Sequence, residues 1–194
     1  MNPPTAILAS LLVPLTGAVG IVVCGRRPRV RDTITIATSL LLFAAVMSLA
    51  PLVAGGARPE LTIAEPLPGL PLGFRVEPLG LLFALVASGL WIVTSIYSFG
   101  YMREHPTGNQ TRFYTCFAVA IVAAVGAAFA RDLLTLFVCY EMLTLSTWPL
   151  VTHDGTPQAR RAGRVYLGVL LGTSIPGLLL AILWTWHASG GTLE

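Results

Sequence analysis

The chain contains no lysine: all twelve of its basic residues are arginine. Charge of either sign is scarce, at 11% of 194 residues, against roughly 25% in soluble domains. That deficit excludes an ordinary water-facing surface. The three cysteines, Cys24, Cys116 and Cys139, lie in or beside apolar runs and show no Cys-x-x-Cys spacing. An odd count at such depths excludes a disulfide framework, and no histidine spacing suggests a metal. They read as small buried apolar groups. No stacking aromatics interleave with the arginines, so nucleic acid is not an expected partner, and no cofactor is expected. Positive charge is also missing from residues 1–5, whereas Arg26, Arg27, Arg29 and Arg31 follow the run from Ala6 to Cys24. This order predicts an uncleaved first helix rather than a signal peptide.

What the chain has in abundance is apolar length. Hydrophobic residues make up 55% of it, and mean hydropathy is +0.76. A helix needs about 20 apolar residues to cross the hydrocarbon core. Six stretches suffice: Pro4 to Cys24, Thr33 to Ala54, Leu79 to Tyr101, Phe113 to Ala130, Leu133 to Thr152 and Val165 to His187. The expected fold is therefore an all-α integral membrane protein of about six transmembrane helices. Only Arg131-Asp132 separates the fourth from the fifth, which calls for a tight helical hairpin. Between the second and third spans, residues 55–78 carry five prolines and two short alternating stretches, Leu61 to Ala64 and Phe74 to Val76. These predict two brief strands paired as a β-hairpin outside the membrane, with an irregular loop as the alternative.

Arginine placement predicts orientation. Nine arginines fall in the connections after spans one, three and five, and three (Arg58, Arg75, Arg131) on the opposite side. The positive-inside rule then puts both termini on the non-cytoplasmic face of the cell inner (cytoplasmic) membrane.

One residue resists this scheme. Glu141 sits in LLTLFVCYEMLTLSTWPLV, near the middle of the fifth span. Insertion scales put an acid at the helix centre at about +2.5 to +3.5 kcal/mol, so an ionisable group at that depth points to function. The functional reading is a carboxylate on a proton path; the alternative is a hydrogen bond between packed helices. Thr144 and Thr147 extend roughly the same face and are possible pathway-lining groups. Arg164 opens the sixth span, placed either to snorkel to the interface or to act electrostatically deeper in the bundle. His105 and His153 lie in expected loops, and His187 lies beside Trp184 and Trp186 in an aromatic belt. Pro149 and Pro176-Gly177 mark kinks or broken helices.

The stretches FRVEPLGLLFALVASGLWIVTSIYSFGYMREHP, RFYTCFAVAIVAAVGAAFARDLLTLFVCYEMLTLSTWPLV and ARRAGRVYLGVLLGTS resemble the proton-translocating, antiporter-like membrane subunits. These belong to respiratory complex I, membrane-bound hydrogenases and Mrp-type sodium/proton antiporters, and the likeness is greatest to the D-type subunits of the Mrp antiporters. The resemblance runs from about Phe74 to Tyr166. It implies that Glu141 is the family's glutamate on the fifth helix, which pairs with a lysine on a later, broken helix. It also implies that an inverted repeat begins at the fourth span. Family members are longer, so the repeat begun at Phe113 is expected to be incomplete here, with its lysine partner supplied from elsewhere. Related proteins often carry a lysine before the tyrosine matching Tyr166. Here that place is Val165, and Arg164 one step earlier is rotated by about 100°.

The expected organisation is an N-terminal transmembrane region over residues 1–112 and the start of the translocating repeat over 113–194. The expected function is part of a proton or cation/proton pathway in a multisubunit complex, with Glu141 as proton carrier. Partners would be other membrane subunits, the bilayer and H⁺, either alone or exchanged for Na⁺. No enzyme activity is expected of the chain by itself; an oxidoreductase label would belong to the assembly. The alternative is a non-transporting structural membrane protein of such a complex.

Overall fold

A computed structural model of the chain describes residues 2–67, 70–104, 108–190 and 193. Six helices are long and apolar enough to cross a membrane. Helix α1 (Pro3–Val23) opens with proline at its first turn, where the missing amide costs nothing. Helix α2 (Pro28–Met47) starts the same way and continues after a short break as α3 (Ala50–Ala54), the two forming one span. Pro51 has no amide to donate back to the preceding turn, which accounts for the break. Then come α4 (Pro78–Glu104), α5 (Gln110–Ala128), α6 (Leu133–Val151) and α7 (Pro157–Ala188).

Helices α1, α2, α4 and α5 pack in a ring, α1 against α2 and α5, and α4 against the same two. Ile7, Ile21, Leu42, Val46, Trp91, Val125 and Phe129 are fully buried among them. Close approach needs small residues: a Cβ at Gly17 would run into the Thr38 side chain. Buried Ser10, Ser39 and Ser88 satisfy their hydroxyls on carbonyls of their own helices. Helix α6 packs on α5, and α7 packs on α6. Only 11% of the apolar window of α7 is buried, against 44% for α1, so α7 presents most of its surface outward.

Strands β1 (Glu60–Leu67) and β2 (Leu70–Arg75) pair antiparallel, with Glu60 opposite Arg75 and Leu61 opposite Phe74. The hairpin is longer than the alternating pattern suggests. A two-stranded sheet has only edge strands, so Pro71 can sit inside one. The hairpin is pinned to the α5–α6 turn. Arg75 donates its amide to Phe129 O at 2.7 Å, and Arg131 donates its amide to Gly73 O at 3.0 Å. Glu60 accepts from Arg75 at 2.7 Å and pairs with Arg131 at 3.3 Å.

Two further expectations are corrected. Helix α7 begins at Pro157, eight residues before Val165, because Thr156 Oγ1 accepts from the Ala159 amide at 3.1 Å and proline occupies the first turn. Arg160, Arg161 and Arg164 therefore belong to a helix and not to a connecting loop. Likewise Arg29 and Arg31 belong to α2, Arg103 to α4 and Arg112 to α5.

Candidate functional site

The tight turn into α6 sets the depth of Glu141. Asp132 is the N-cap: its Oδ1 accepts from the Thr135 amide at 2.8 Å and its Oδ2 from Thr135 Oγ1 at 2.8 Å. Thr135 Oγ1 in turn accepts from the Gly73 amide at 3.0 Å, locking the turn to the hairpin. Nine residues further on, at 1.5 Å rise each, Glu141 lies roughly 13 Å along the helix. That is the middle of a 19-residue span.

The carboxyl of Glu141 reaches α7. Ser174 Oγ donates to Glu141 Oε1 at 2.6 Å. Glu141 Oε2 is buried and has no hydrogen-bond partner among the described residues. An ionised carboxylate offers about four lone-pair sites, and a single serine fills one of them. Full satisfaction of the charge calls for a cation, water or a further donor at Oε2. On its other side Glu141 borders an open, mainly apolar groove of about 550 Å³ with Cys116, Phe137, Met142 and Ser146.

Thr144 is buried at 2% exposure, one turn beyond the acid. Thr147 donates to Thr144 O at 2.9 Å or shares its hydroxyl with Tyr166 OH at 3.0 Å. Thus α6 and α7, running antiparallel, are bridged by polar groups at two levels. Six residues of α6 separate these levels, roughly 9 Å. Arg164 is exposed and does not join Glu141: ten residues separate it from Ser174, about 15 Å along α7. It lines a polar cavity of about 800 Å³ at the arginine-rich end, with Arg112, Trp148, Thr152 and Arg160. The cavity, the Thr147–Tyr166 bridge and the Glu141–Ser174 bridge follow one another along the same helix pair.

His153 lies in the turn after α6, as expected, but is not fully solvated. It is half-buried, with its ring at 5.3 Å from the Phe113 ring. Burial first, and then the Arg112 charge, push its pKa below the usual histidine range, with Asp154 opposing. His105 lies outside the described residues. His187 occupies the last turn of α7. Among the described residues no three His, Cys, Asp or Glu side chains converge as a metal site.

Sequence reasoning missed Ser174. The signal available was the pair Thr173-Ser174 inside an otherwise apolar run, GVLLGTSIPGLLL. It also missed the burial of Arg31 and Asp32, at 4% and 9% exposure. Arg31 bonds Asp32 at 2.8 Å and Gln110 at 3.2 Å, and its guanidinium lies 4.7 Å from the centre of the Tyr114 ring.

Residues 68–114 match the family described as NADH-ubiquinone oxidoreductase (complex I), chain 5 N-terminus. The chain is 28% identical to a D-type component of a probable K(+)/H(+) antiporter of Rhizobium meliloti, over 97% of this chain and 35% of that protein. It is 31% identical to the N-type component of the NADH-quinone oxidoreductase of Myxococcus xanthus, over 79% of this chain and 29% of that one. Among solved structures, the Mrp complex from Dietzia sp. DQ12-45-1b contains a chain similar in fold, with a TM-score of 0.81 and 21% identity. The match covers 100% of this chain and 36% of that one. The chain spans about a third or less of the length of the curated relatives it matches.

Proposed function

We propose, for a chain that belongs to the antiporter-like membrane subunit family, that it contributes part of a proton or cation/proton pathway to a multisubunit membrane complex. Glu141 carries the proton on Oε2, the oxygen left open by the Ser174 hydrogen bond. Thr144, Thr147 and Tyr166 line the approach from the arginine-rich cavity, and Arg164 at its mouth sets the local potential. The single observation that supports this is a mid-span carboxyl with one oxygen bonded across helices and the other buried without a partner among the described residues. A counter-charge for that oxygen comes from another segment or another protein of the complex. The oxidoreductase names of some relatives describe their assemblies; this chain's part is ion movement. Residues 1–112 are the N-terminal transmembrane region and residues 113–194, whose first helix α5 completes the four-helix ring, are the start of the translocating part, with both termini and the hairpin on the non-cytoplasmic side.

A second reading follows from the Ser174 bond itself, since polar side chains also hold membrane helices together. Glu141→Gln separates the two. Glutamine keeps an oxygen for Ser174 but cannot carry a proton. Proton-driven dye quenching in vesicles bearing the complete complex should be lost in E141Q while assembly is retained. Full transport in E141Q supports the packing role instead.

A further inference from the structure

Away from Glu141, the first turn of α2 and the last turns of α4 enclose a second polar cavity of about 370 Å³. Arg29, Arg31 and Arg103 line it together with Asp32, its one carboxylate among the described lining residues. Asp32 is already engaged. Its Oδ1 takes two bonds from Arg31, at 2.8 and 3.1 Å, and its Oδ2 lies 3.6 Å from Arg103. Arg31 is spent on Asp32, Gln110 and Tyr114. The cavity therefore holds a net charge of +2, carried by the accessible guanidinium of Arg29 and that of Arg103, whose side chain is 72% exposed.

This cavity does not end at the polar rim. It shares Arg29, Asp32, Phe99 and Arg103 with an open groove of about 540 Å³ that runs down the outward face of α2 past Ile36, Ala37 and Leu40. From Thr33 to Leu40 is seven residues, about 10 Å of apolar wall leading away from the charged end. Two cations at the end of a span, heading an apolar trough along that span, match the chemistry of a lipid with an anionic headgroup. A free anion would use the arginines and leave the trough empty.

We infer that α2 and α4 form a specific site for an anionic phospholipid, with its phosphate between Arg29 and Arg103 and an acyl chain along Ile36, Ala37 and Leu40. Arg31 and Asp32 act as the rigid floor: their pairing fixes α2 against α5 through Gln110 and holds Arg103 at the rim. Occupancy would tie α2 to α4 at the membrane surface, and so steady the ring that includes α5 and on which α6 packs. The site stands apart from the proton path and does not depend on it.

Native mass spectrometry of the full chain, with added dioleoyl phosphatidylglycerol, dioleoyl phosphatidylcholine or inorganic phosphate, tests this. Phosphatidylglycerol adducts should persist where phosphatidylcholine adducts do not. The R29Q/R103Q pair should weaken them about thirtyfold, given the usual contribution of an arginine at an anionic surface. The R160Q/R161Q pair, at the same end of the molecule, should leave them unchanged. A37W fills the trough without altering charge, and should also weaken phosphatidylglycerol binding. Equal binding of phosphatidylcholine would overturn the proposal, as would an unaffected R29Q/R103Q pair or an unaffected A37W. Displacement of the lipid by inorganic phosphate would show a free-anion site and overturn it too.

Discussion

Ser174 on α7 and Glu141 on α6 are joined by a 2.6 Å hydrogen bond near the middle of both helices, the serine donating. The bond crosses between the helix that carries the acid and a helix whose surface is otherwise mostly outward-facing. It makes the position of α7 a determinant of the acid's environment.

Ser174→Ala removes that donor and leaves both carboxyl oxygens unsupported. Leaving a buried polar group unsatisfied costs about 1–3 kcal/mol. Thermal unfolding of the purified chain should show a destabilisation of that order, and transport by the complex should slow without being abolished. Wild-type stability and rate in S174A would mean the bond is not formed in the membrane.

Tyr166→Phe removes the partner of Thr147 one level nearer the arginine-rich cavity. Interhelical hydrogen bonds in membranes contribute on the order of 1 kcal/mol. The stability loss should be smaller than in S174A. If the two hydroxyls line the approach to Glu141, transport should fall by more than the stability loss explains. An unchanged transport rate in Y166F would remove the bridge from the path.

Asp132→Ala deletes the cap that starts α6. Losing an N-cap costs about 0.5–2 kcal/mol, and here the Thr135 hydroxyl loses its acceptor too. D132A should lower the unfolding midpoint, D132N should recover most of the loss, and transport per folded complex should be retained. An unaltered midpoint in D132A would show that the hairpin alone fixes the turn.

His153 gives the fold a pH dependence of definite sign. Its folded pKa lies below the unfolded value near 6.5, chiefly through burial. As pH falls through about 6.5, the unfolded chain takes up the proton first, so stability declines towards acid and is restored above neutrality. Unfolding midpoints measured between about pH 5 and 7.5 should fall on the acid side, and H153Q should flatten that limb. An identical acid limb in H153Q would assign the effect to another group.

The sequence makes some of this legible and conceals the rest for physical reasons. Six spans and the Arg131-Asp132 turn are readable because hydrocarbon thickness demands long apolar runs, and two charged residues between two such runs mark a corner. Glu141 is readable as a position because an acid deep in such a run is costly, though the run alone leaves both a proton path and a helix-packing bond open. Ser174 is not: its role depends on how α7 sits against α6, which no spacing within either helix encodes. Arg31 and Asp32 lie outside the apolar run and so read as loop. In the structure, pairing with each other, Gln110 and Tyr114 lets them be buried in a helix. Span length alone starts α7 too late, because the Thr156 cap, not the bilayer, decides where that helix begins.

Proton uptake and release by Glu141 inside the membrane is read out by infrared difference spectroscopy of the complex across a pH titration. Proton carriage by Glu141 should give a carboxyl carbonyl band that grows and decays with pH, shifts in S174A as its hydrogen bond is lost, and is absent from E141Q. A band that persists in E141Q, or no protonation change attributable to Glu141 under conditions that support transport, would contradict it.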